Sequence, residues 1–433
     1  MEGLEDLVVE LILSKVDPTD AASFACVNRR FMVWASDDNL WRRFCSLDLD
    51  LKAPIDPLGS PCPSFKIAYK VWHESFGMYP WSLVKRTKRC WAVIETWLAA
   101  NFPEVSNTLR KGASEREIKE AEEKLGIRLP PPTRLLYRFH DGQDLKFLET
   151  KDAATLGLIG GYWFYSQVAN VYLLPLAQVV LDTKKFAERR FASQSKCVIV
   201  ASSFYDRKLF FLNCCSGHLY VGTRKLFVDG DMIPCVPQLL VKCEGVEAHD
   251  AMLLWLEEHG RRLRDGVIGI REEWDLRIIC QFPETPPACS TAVTNGVQVR
   301  ASALFIPEKS SPTDEIDDKC CFAYSIRMSL LSDGLILDGM YHSSCQLQSR
   351  HWIIRAGDAV VGDVKGEAVI GKYPLLAPNK GEFVYQSCST IPSLTGSIEG
   401  SFTFVPGRIT SPKGRLFEVE VASFPLEVPG YIF

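Results

Sequence analysis

The sequence lacks the short motifs that assign a chain to several well-defined classes. It contains no C-x-x-C pair and no H-E-x-x-H segment, which are common signatures of zinc sites, so we expect no bound metal and no RING-type finger. It contains no N-x-[ST] sequon, and Glu2, Glu5 and Asp6 stand where a secretory signal would be positively charged. Its fifteen cysteines are odd in number and irregularly spaced, which favours thiols in a reducing compartment. We therefore predict a cytosolic or nuclear protein.

The chain has neither an excess of positive charge nor a long apolar run. Its formal net charge is −4 and its pI is about 6.1, so we expect no nucleic-acid partner. The longest uncharged run, residues 153–181, contains Gly157, Gly160, Gly161 and Pro175. We interpret it as strands and turns, and expect no membrane span. A length of 433 residues indicates roughly two to four globular domains.

Residues 1–45 have the pattern of short helices with more apolar surface than they can bury. Val9 and Leu13 widen an apolar stripe that already has helical spacing. Asp17 and Pro18 then act as the N-cap and the first residue of a second helix. A unit this short buries little surface by itself. Its helices therefore either dock onto another protein or begin a larger core.

This segment resembles the F-box, through "LVVELILSKVDPTD", "ACVNRRF" and "NLWRRFC". The family usually starts with Leu-Pro, whereas Glu5 follows Leu4 here. F-boxes bind the Skp-type adaptor of SCF ubiquitin ligases, so the resemblance implies this adaptor as a partner and, through it, the cullin and RING subunits. The residues that it would place against the adaptor are Leu4, Leu7, Val8, Leu11, Ile12, Val16, Val27, Phe31, Trp34, Leu40 and Trp41.

Residues 46–87 are predicted to form a linker and packing segment. Four prolines between residues 54 and 63 favour turns, and the aromatic-rich run "KIAYKVWHESFGMYPWSLV" is typical of a segment that packs on a neighbour. The basic residues Lys85, Arg86, Lys88 and Arg89 suit either a nuclear import signal or a solvated charged face.

Residues 88–265 have the pattern of an α+β module. Ser114 and Glu117 form a capping box, and Gly126 ends the helix that follows. Several short β-like runs and a closing helix come next. With "LPPPTRLLYRFHDG" at its start, the segment resembles the SUKH superfamily (the Smi/Knr-type domain), whose members are binding modules.

Two groups in this module have chemical potential but also simpler explanations. His140, Asp141 and Asp144 are either metal ligands or, as we favour, a helix end followed by a turn. Cys214 and Cys215 lie in "CCSGH", but no G-x-S-x-G elbow is present. We interpret both cysteines as strand residues.

Residues 290–428 are predicted to form an antiparallel β-sandwich of about seven short strands. Alternating apolar residues in "GVQVRASALFI" give one strand, and the acidic residues 313–319 give a solvated loop. Gly366, Gly371 and Lys372 match most of a phosphate-binding P-loop, but Tyr373 and Pro374 follow. A P-loop needs Ser or Thr after the lysine, and a helix that a residue before proline disfavours. We therefore reject that assignment.

The same segment resembles ApaG domains, which have an immunoglobulin-like sandwich and a G-x-G-x-x-G loop suspected of binding pyrophosphate. The loop here runs from Gly366 to Gly371, with Ala368 in place of the middle glycine. The resemblance implies a ligand or recognition loop. Its candidate residues are Arg350, His351, Trp352, Gly366, Gly371 and Lys372.

The predicted fold is therefore multidomain: all-α F-box helices, an α+β SUKH-like domain and an all-β immunoglobulin-like sandwich. This order resembles that of plant Skp-interacting F-box proteins and of an animal F-box-only relative. It implies a non-catalytic substrate-recognition subunit of an SCF ubiquitin ligase, without a cofactor, that presents unknown protein targets. The alternative is a nucleotide- or pyrophosphate-binding protein, or a hydrolase, acting through the sandwich. No activated nucleophile or paired carboxylates support it.

Overall fold

The architecture was obtained as a computed structural model, which describes residues 8–9, 11–13, 15–146, 155–164, 167–188, 196–203, 208–241, 250–273, 276–311 and 319–430. Leu4, Leu7 and the acidic residues 313–318 lie outside this part. The chain divides into two compact units, one made of residues 1–92 and one made of almost all the rest. Among the described residues, no helix is both long enough and apolar enough to cross a bilayer.

The first unit is helical. Residues 8, 9 and 11–13 are helical, and further helices span Pro18–Phe24, Arg29–Trp34, Asp38–Leu49, Phe65–Phe76 and Trp81–Asn101, the last of which crosses the unit boundary. The ring centroid of Trp41 lies 5.5 Å from that of Phe44 and 5.4 Å from that of Tyr69. Trp72 and Phe76 are buried beside them in the same helical unit. The segment after residue 45 therefore shares a core with the F-box-like helices.

The basic residues near position 87 complete the end of a helix. The Lys85 and Lys88 ammonium groups donate to the carbonyls of Leu47 and Leu49, each at 2.7 Å. The Arg89 guanidinium lies 2.6 Å from the Asp50 carboxylate. Lysine and arginine are favourable at helix C-termini, where carbonyls lack partners. This role explains the cluster without an import signal.

The second unit begins with a mixed domain. Its helices span Pro103–Ser106, Glu115–Leu125, Pro131–Phe139, Leu176–Ala187, Leu226–Asp229 and Ala251–Arg264. Its strands are β1 (Gly160–Phe164), β2 (Gln167–Leu173), β3 (Cys197–Ser203), β4 (Leu209–Asn213), β5 (Leu219–Gly222), β6 (Met232–Pro234), β7 (Gly269–Glu273) and β8 (Leu276–Cys280). In the described residues these form one sheet, ordered β6-β5-β4-β3-β2-β1-β8-β7. The sheet thus includes a hairpin beyond residue 265, where we had expected the domain to end.

The predicted capping box and helix stop are both present. Ser114 Oγ accepts from the Glu117 amide at 3.2 Å, and the Glu117 carboxylate accepts from the Ser114 amide at 2.7 Å. Gly126 ends the helix with φ 65°.

The remaining strands form a β-sandwich. They are β9 (Cys289–Thr294), β10 (Val297–Phe305), β11 (Cys320–Leu330), β12 (Leu335–Leu337), β13 (Met340–His342), β14 (Cys345–Ala356), β15 (Ala359–Glu367), β16 (Leu375–Leu376), β17 (Phe383–Ile391), β18 (Thr395–Arg408), β19 (Ser411–Pro412) and β20 (Phe417–Glu427). Among the described strands, one sheet has the order β17-β11-β10-β9. In the facing sheet β15 pairs with β14, β14 with β18, and β18 with β20. Trp352, Phe402 and Phe424 fill the space between the sheets.

An apolar cluster joins the mixed domain to the sandwich. Its buried members are Tyr162, Trp163, Phe164, Ile278, Cys280, Phe282, Ile306, Cys321 and Ala323. At its margin the Glu308 carboxylate accepts from the Tyr162 hydroxyl and lies 3.8 Å from the Lys208 ammonium. Burial holds the pKa of Tyr162 well above its ordinary value. The two domains therefore share one core within the second unit.

Candidate functional site

The first candidate site is an apolar surface on the helices of the first unit. Leu11 is 63% exposed and Val33 is 68% exposed. Val8, Ile12, Val27 and Met32 are each at least half exposed. Exposed apolar side chains are ordinary when they are scattered, but six large ones within residues 8–33 are a concentration that is typical of a protein interface. We call these six residues the apolar surface.

Two side-chain caps set the local course of these helices. Asp17 Oδ1 accepts from the Asp20 amide at 2.8 Å, and Pro18 is the first residue of the helix, as predicted. Asn28 Oδ1 accepts from the Phe31 amide at 3.0 Å and starts the helix Arg29–Trp34. Phe31, Met32, Val33 and Trp34 are four consecutive apolar residues, and a helix cannot turn four neighbours toward one side. Met32 and Val33 therefore face outward, and our residue set omitted both.

Four of the predicted contact residues are half-buried. These are Val16, Phe31, Trp34 and Leu40. The Phe31 ring lies 4.3 Å from that of Phe24 and 5.5 Å from that of Trp34, between centroids. These residues support the surface and retain some accessible area.

Trp41 has a different position. It is only 4% exposed, and its indole N–H donates to the Ala35 carbonyl at 2.8 Å. Its ring packs on Phe44 and Tyr69. This corrects our expectation of a direct adaptor contact, because the chain's own core already covers the side chain.

The second candidate site is the loop from Gly366 to Gly371. Ala368 has φ 61° and Ile370 has φ 44°, in the region that L-residues rarely adopt. The Ala368 amide donates to the Gln348 carbonyl at 3.0 Å, and Val369 and Lys372 exchange backbone hydrogen bonds of 3.0 and 2.8 Å. These three amides are thus used within the protein, whereas a phosphate loop directs its amides at the ligand.

Arg350 holds this loop from the neighbouring strand. Its Nη1 donates to the carbonyls of Glu367 at 3.2 Å and Ala368 at 2.7 Å. A Cβ atom on Gly366 would lie 3.2 Å from the same nitrogen, so the glycine leaves room for the guanidinium. Arg350 and Gly366 together therefore connect β14 to the end of β15.

The structure does not bring the other candidate loop residues into one pocket. His351 Nε2 lies 2.8 Å from Asp363 Oδ1, on the opposite face of β14 from Arg350 because neighbouring strand residues alternate. Trp352 is buried between the sheets. The Lys372 ammonium lies 5.9 Å from the centroid of the Phe383 ring. These positions support a recognition loop better than a phosphate site.

The chemical groups of the mixed domain have structural roles. His140 Nδ1 lies 3.0 Å from the Arg110 carbonyl and Nε2 lies 2.9 Å from Glu95 Oε1. Asp141 accepts from the Leu176 amide at 2.8 Å. Cys214 and Cys215 lie in the turn after β4, so our interpretation of them as strand residues was wrong. Burial raises the pKa of the Cys214 thiol, which is the opposite of what a nucleophile needs. Within the described part of the chain, no cluster of three or more His, Cys, Asp or Glu could hold a metal ion.

Three family models match successive parts of the chain. The F-box-like model matches residues 7–46, the SMI1 / KNR4 family (SUKH-1) model matches residues 112–224, and the ApaG domain model matches residues 308–406. The F-box protein SKIP16 of Arabidopsis thaliana is 52% identical, with 100% of both chains covered. The chain is an F-box protein. It combines a helical F-box region, a mixed α/β domain and a β-rich ApaG domain, as predicted.

Two further relatives show how the parts of this F-box protein recur. The human F-box only protein 3 is 24% identical over 100% of this chain and 84% of its own length. Protein ApaG of Nitrosomonas europaea is 35% identical over 31% of this chain and 91% of its own length. The full order of domains is therefore matched in a plant and in an animal, whereas the sandwich is matched by a separate bacterial protein.

Proposed function

We propose that this F-box protein is the substrate-recognition subunit of an SCF-type E3 ubiquitin ligase. Its apolar surface would bind a Skp-type adaptor, which connects it to the cullin and RING subunits. The SUKH-like and ApaG domains would hold the target protein. The observation that carries this proposal is the exposure of Val8, Leu11, Ile12, Val27, Met32 and Val33 on the F-box helices.

Burial of these side chains would supply the affinity. Each large apolar side chain that leaves water contributes about 1.5–3 kcal/mol. Several such residues can offset the loss of rotational and translational freedom on association. Aspartate at a central position would bury an unpaired carboxylate, which is more costly than the loss of the contact alone.

We propose that the chain performs no bond chemistry. A receptor of this kind raises the effective concentration of the target near the transferring enzyme and fixes its orientation. The loop from Gly366 to Gly371 supports the absence of bond chemistry, because its backbone groups form hydrogen bonds within the chain and with the Arg350 side chain. The described cysteines are free thiols, which supports residence in the cytosol or nucleus.

A pulldown of the full chain with a recombinant Skp-type adaptor tests the proposal. We expect Leu11→Asp to abolish binding. Leu58→Asp is the matched control, because Leu58 is 74% exposed in the first unit but lies outside the F-box-like match. Circular dichroism would verify that both variants remain folded. Adaptor binding that survives Leu11→Asp, or is lost equally in Leu58→Asp, would refute the assignment.

A titration addresses the alternative function. Calorimetry of the full chain with inorganic pyrophosphate and with nucleoside triphosphates should show no binding heat, since the loop offers no set of converging amides. Saturable binding that Arg350→Ala removes would instead favour the phosphate-binding alternative.

A further inference from the structure

Strand β15 presents an uncovered edge on the ApaG sandwich. In the described residues it pairs with β14 on one side and with no strand on the other. Val360 is 54% exposed, Val361 46% and Val364 41%, and the strand contains no proline. Unpaired edges with apolar side chains are templates for the addition of another strand, and proteins usually protect them.

The three other outer strands of the two main sheets contact neighbouring elements in the described part of the chain. At β9 and β20, Glu420 N donates to Thr294 Oγ1 at 3.2 Å and Ser290 Oγ donates to the Ala422 carbonyl at 3.1 Å. At β17, Gln386 Oε1 accepts from the Trp163 amide of β1 at 3.3 Å. Among the outer strands of the two main sheets that the structure describes, β15 is thus the one whose edge we find uncovered.

The pairing of β15 with β14 shows which side chains share a face. Val364 lies opposite the buried Trp352 and therefore faces the sandwich interior. Asp363 contacts His351 on the outer face. Lys365 lies opposite His351 and shares that outer face. The outer face of the edge thus carries Asp363 and Lys365, placed symmetrically about Val364, and Glu367 at the end of the strand.

We propose that two copies of this chain associate through antiparallel pairing of their β15 edges, with Val364 opposite Val364. This register places Asp363 of each copy opposite Lys365 of the other, and Gly362 opposite Gly366. Opposite charges across a strand pair stabilise it, and like charges destabilise it. The strand is therefore complementary to itself.

Neighbouring registers of the same pairing are less favourable. A two-fold axis at residue 363 places Asp363 opposite Asp363. An axis at residue 365 places Lys365 opposite Lys365 and Asp363 opposite Glu367. A two-fold axis midway between two neighbouring residues would place inward-facing residues opposite outward-facing ones. An axis at Gly366 would also pair unlike charges, Lys365 with Glu367, but it would pair only residues 365–367 of β15, compared with residues 361–367 for the axis at Val364. Charge and strand overlap together favour the axis at Val364, and they favour a second copy over an arbitrary extended peptide.

The association should be reversible. One strand paired with one strand is a small contact compared with the roughly 1,200 Å² or more that stable interfaces bury. We therefore expect a monomer–dimer equilibrium that depends on protein concentration. Two F-box units would then be present in each dimeric particle, independently of whether the adaptor is bound.

Sedimentation velocity of the full chain tests the proposal through charge reversal. Asp363→Lys and Lys365→Asp should each weaken dimerisation by roughly tenfold or more, because each converts two unlike pairs into two like pairs. The double variant, Asp363→Lys with Lys365→Asp, should restore it. A native chain that stays monomeric, or singles that dimerise as well as the native chain, would overturn the proposal. Failure of the double variant to recover would also overturn it.

Cross-linking gives a second readout that does not depend on charge. Facing residues on paired strands have Cβ atoms about 4.5–5.5 Å apart, so Val364→Cys should give a covalent dimer with a short bis-maleimide. Val360→Cys is the matched control, since Val360 is at least as accessible as Val364 but would not face its own copy. Cys26 and Cys215 are exposed, so the linked peptides must be mapped by mass spectrometry. Equal cross-linking of the two variants would refute the register.

Discussion

The shared core of the mixed domain and the ApaG domain makes Trp163→Ala an informative substitution. Trp163 is 5% exposed and belongs to the cluster that also contains Ile306, Cys321 and Ala323. A buried tryptophan removes roughly 200 Å² from water, which corresponds to about 5 kcal/mol at 25 cal/mol per Å². Large-to-small core substitutions usually cost about 3–5 kcal/mol. We expect the free energy of unfolding to fall by an amount in this range, and we expect both the mixed domain and the ApaG domain to be destabilised.

Hydrogen exchange followed by mass spectrometry can locate that loss. In Trp163→Ala, amides of β1 should exchange faster, and so should amides of β11 and β17 in the sandwich. Trp255→Ala is the matched control, because Trp255 is also buried but packs on Phe210 inside the mixed domain. That variant should accelerate exchange in the mixed domain alone.

One outcome would refute the shared core. If Trp163→Ala accelerated exchange in β1 and left β11 and β17 at their native rates, the two domains would be energetically independent. If they are coupled, deletion of residues 290–433 exposes part of the apolar cluster and is a poor test of which domain selects targets. Surface substitutions in the intact chain would then be the better approach.

Two other predictions concern pH and the first unit. Burial lowers the pKa of His259 to about 4 from an ordinary value near 6.5. The stability given by the neutral ring is therefore complete above pH 6.5 and lost as the pH falls toward 4. We expect about 2 kcal/mol of this loss between pH 7.5 and pH 5. His259→Gln, which can still donate to the Leu158 carbonyl, should show correspondingly less pH dependence in urea denaturation, and an unchanged dependence would contradict the argument. Trp41→Ala should destabilise the first unit by about 3–5 kcal/mol, seen as earlier thermal melting. If the Trp41→Ala variant melted at the native temperature but no longer bound the adaptor, Trp41 would be an adaptor contact and not a core residue.

Features that depend on neighbouring residues in the chain could be predicted from the sequence. The Asp17 cap and the Ser114–Glu117 capping box were anticipated because each involves groups no more than three residues apart. The exposure of Leu11 and Val27 followed from a short segment with too many apolar residues to bury. These inferences need only local geometry and a comparison of apolar surface with length.

Features that depend on distant partners could not be predicted in the same way. The burial of Trp41 requires Tyr69, which lies 28 positions later. The hairpin β7–β8 joins the sheet through Gly161 and Cys280, and its sequence does not identify that partner. The basic residues at 85–89 resembled a nuclear import signal. Lys85 and Lys88 donate to the backbone carbonyls of Leu47 and Leu49, and a backbone acceptor cannot be recognised from the side chain that the sequence shows.

The loop after β15 shows how such distant contacts can change the meaning of a motif. Ala368 and Ile370 hold positive φ angles, and left-handed backbone costs an L-residue about 1–2 kcal/mol. The loop persists because Arg350, eighteen positions earlier, binds its carbonyls, and Gly366 is the residue that admits the guanidinium. The glycine that suggested a phosphate site is therefore needed for an arginine of the chain itself. A charged side chain committed to the backbone in this way fixes the end of β15, and a fixed strand end is what a register-specific pairing between two copies requires.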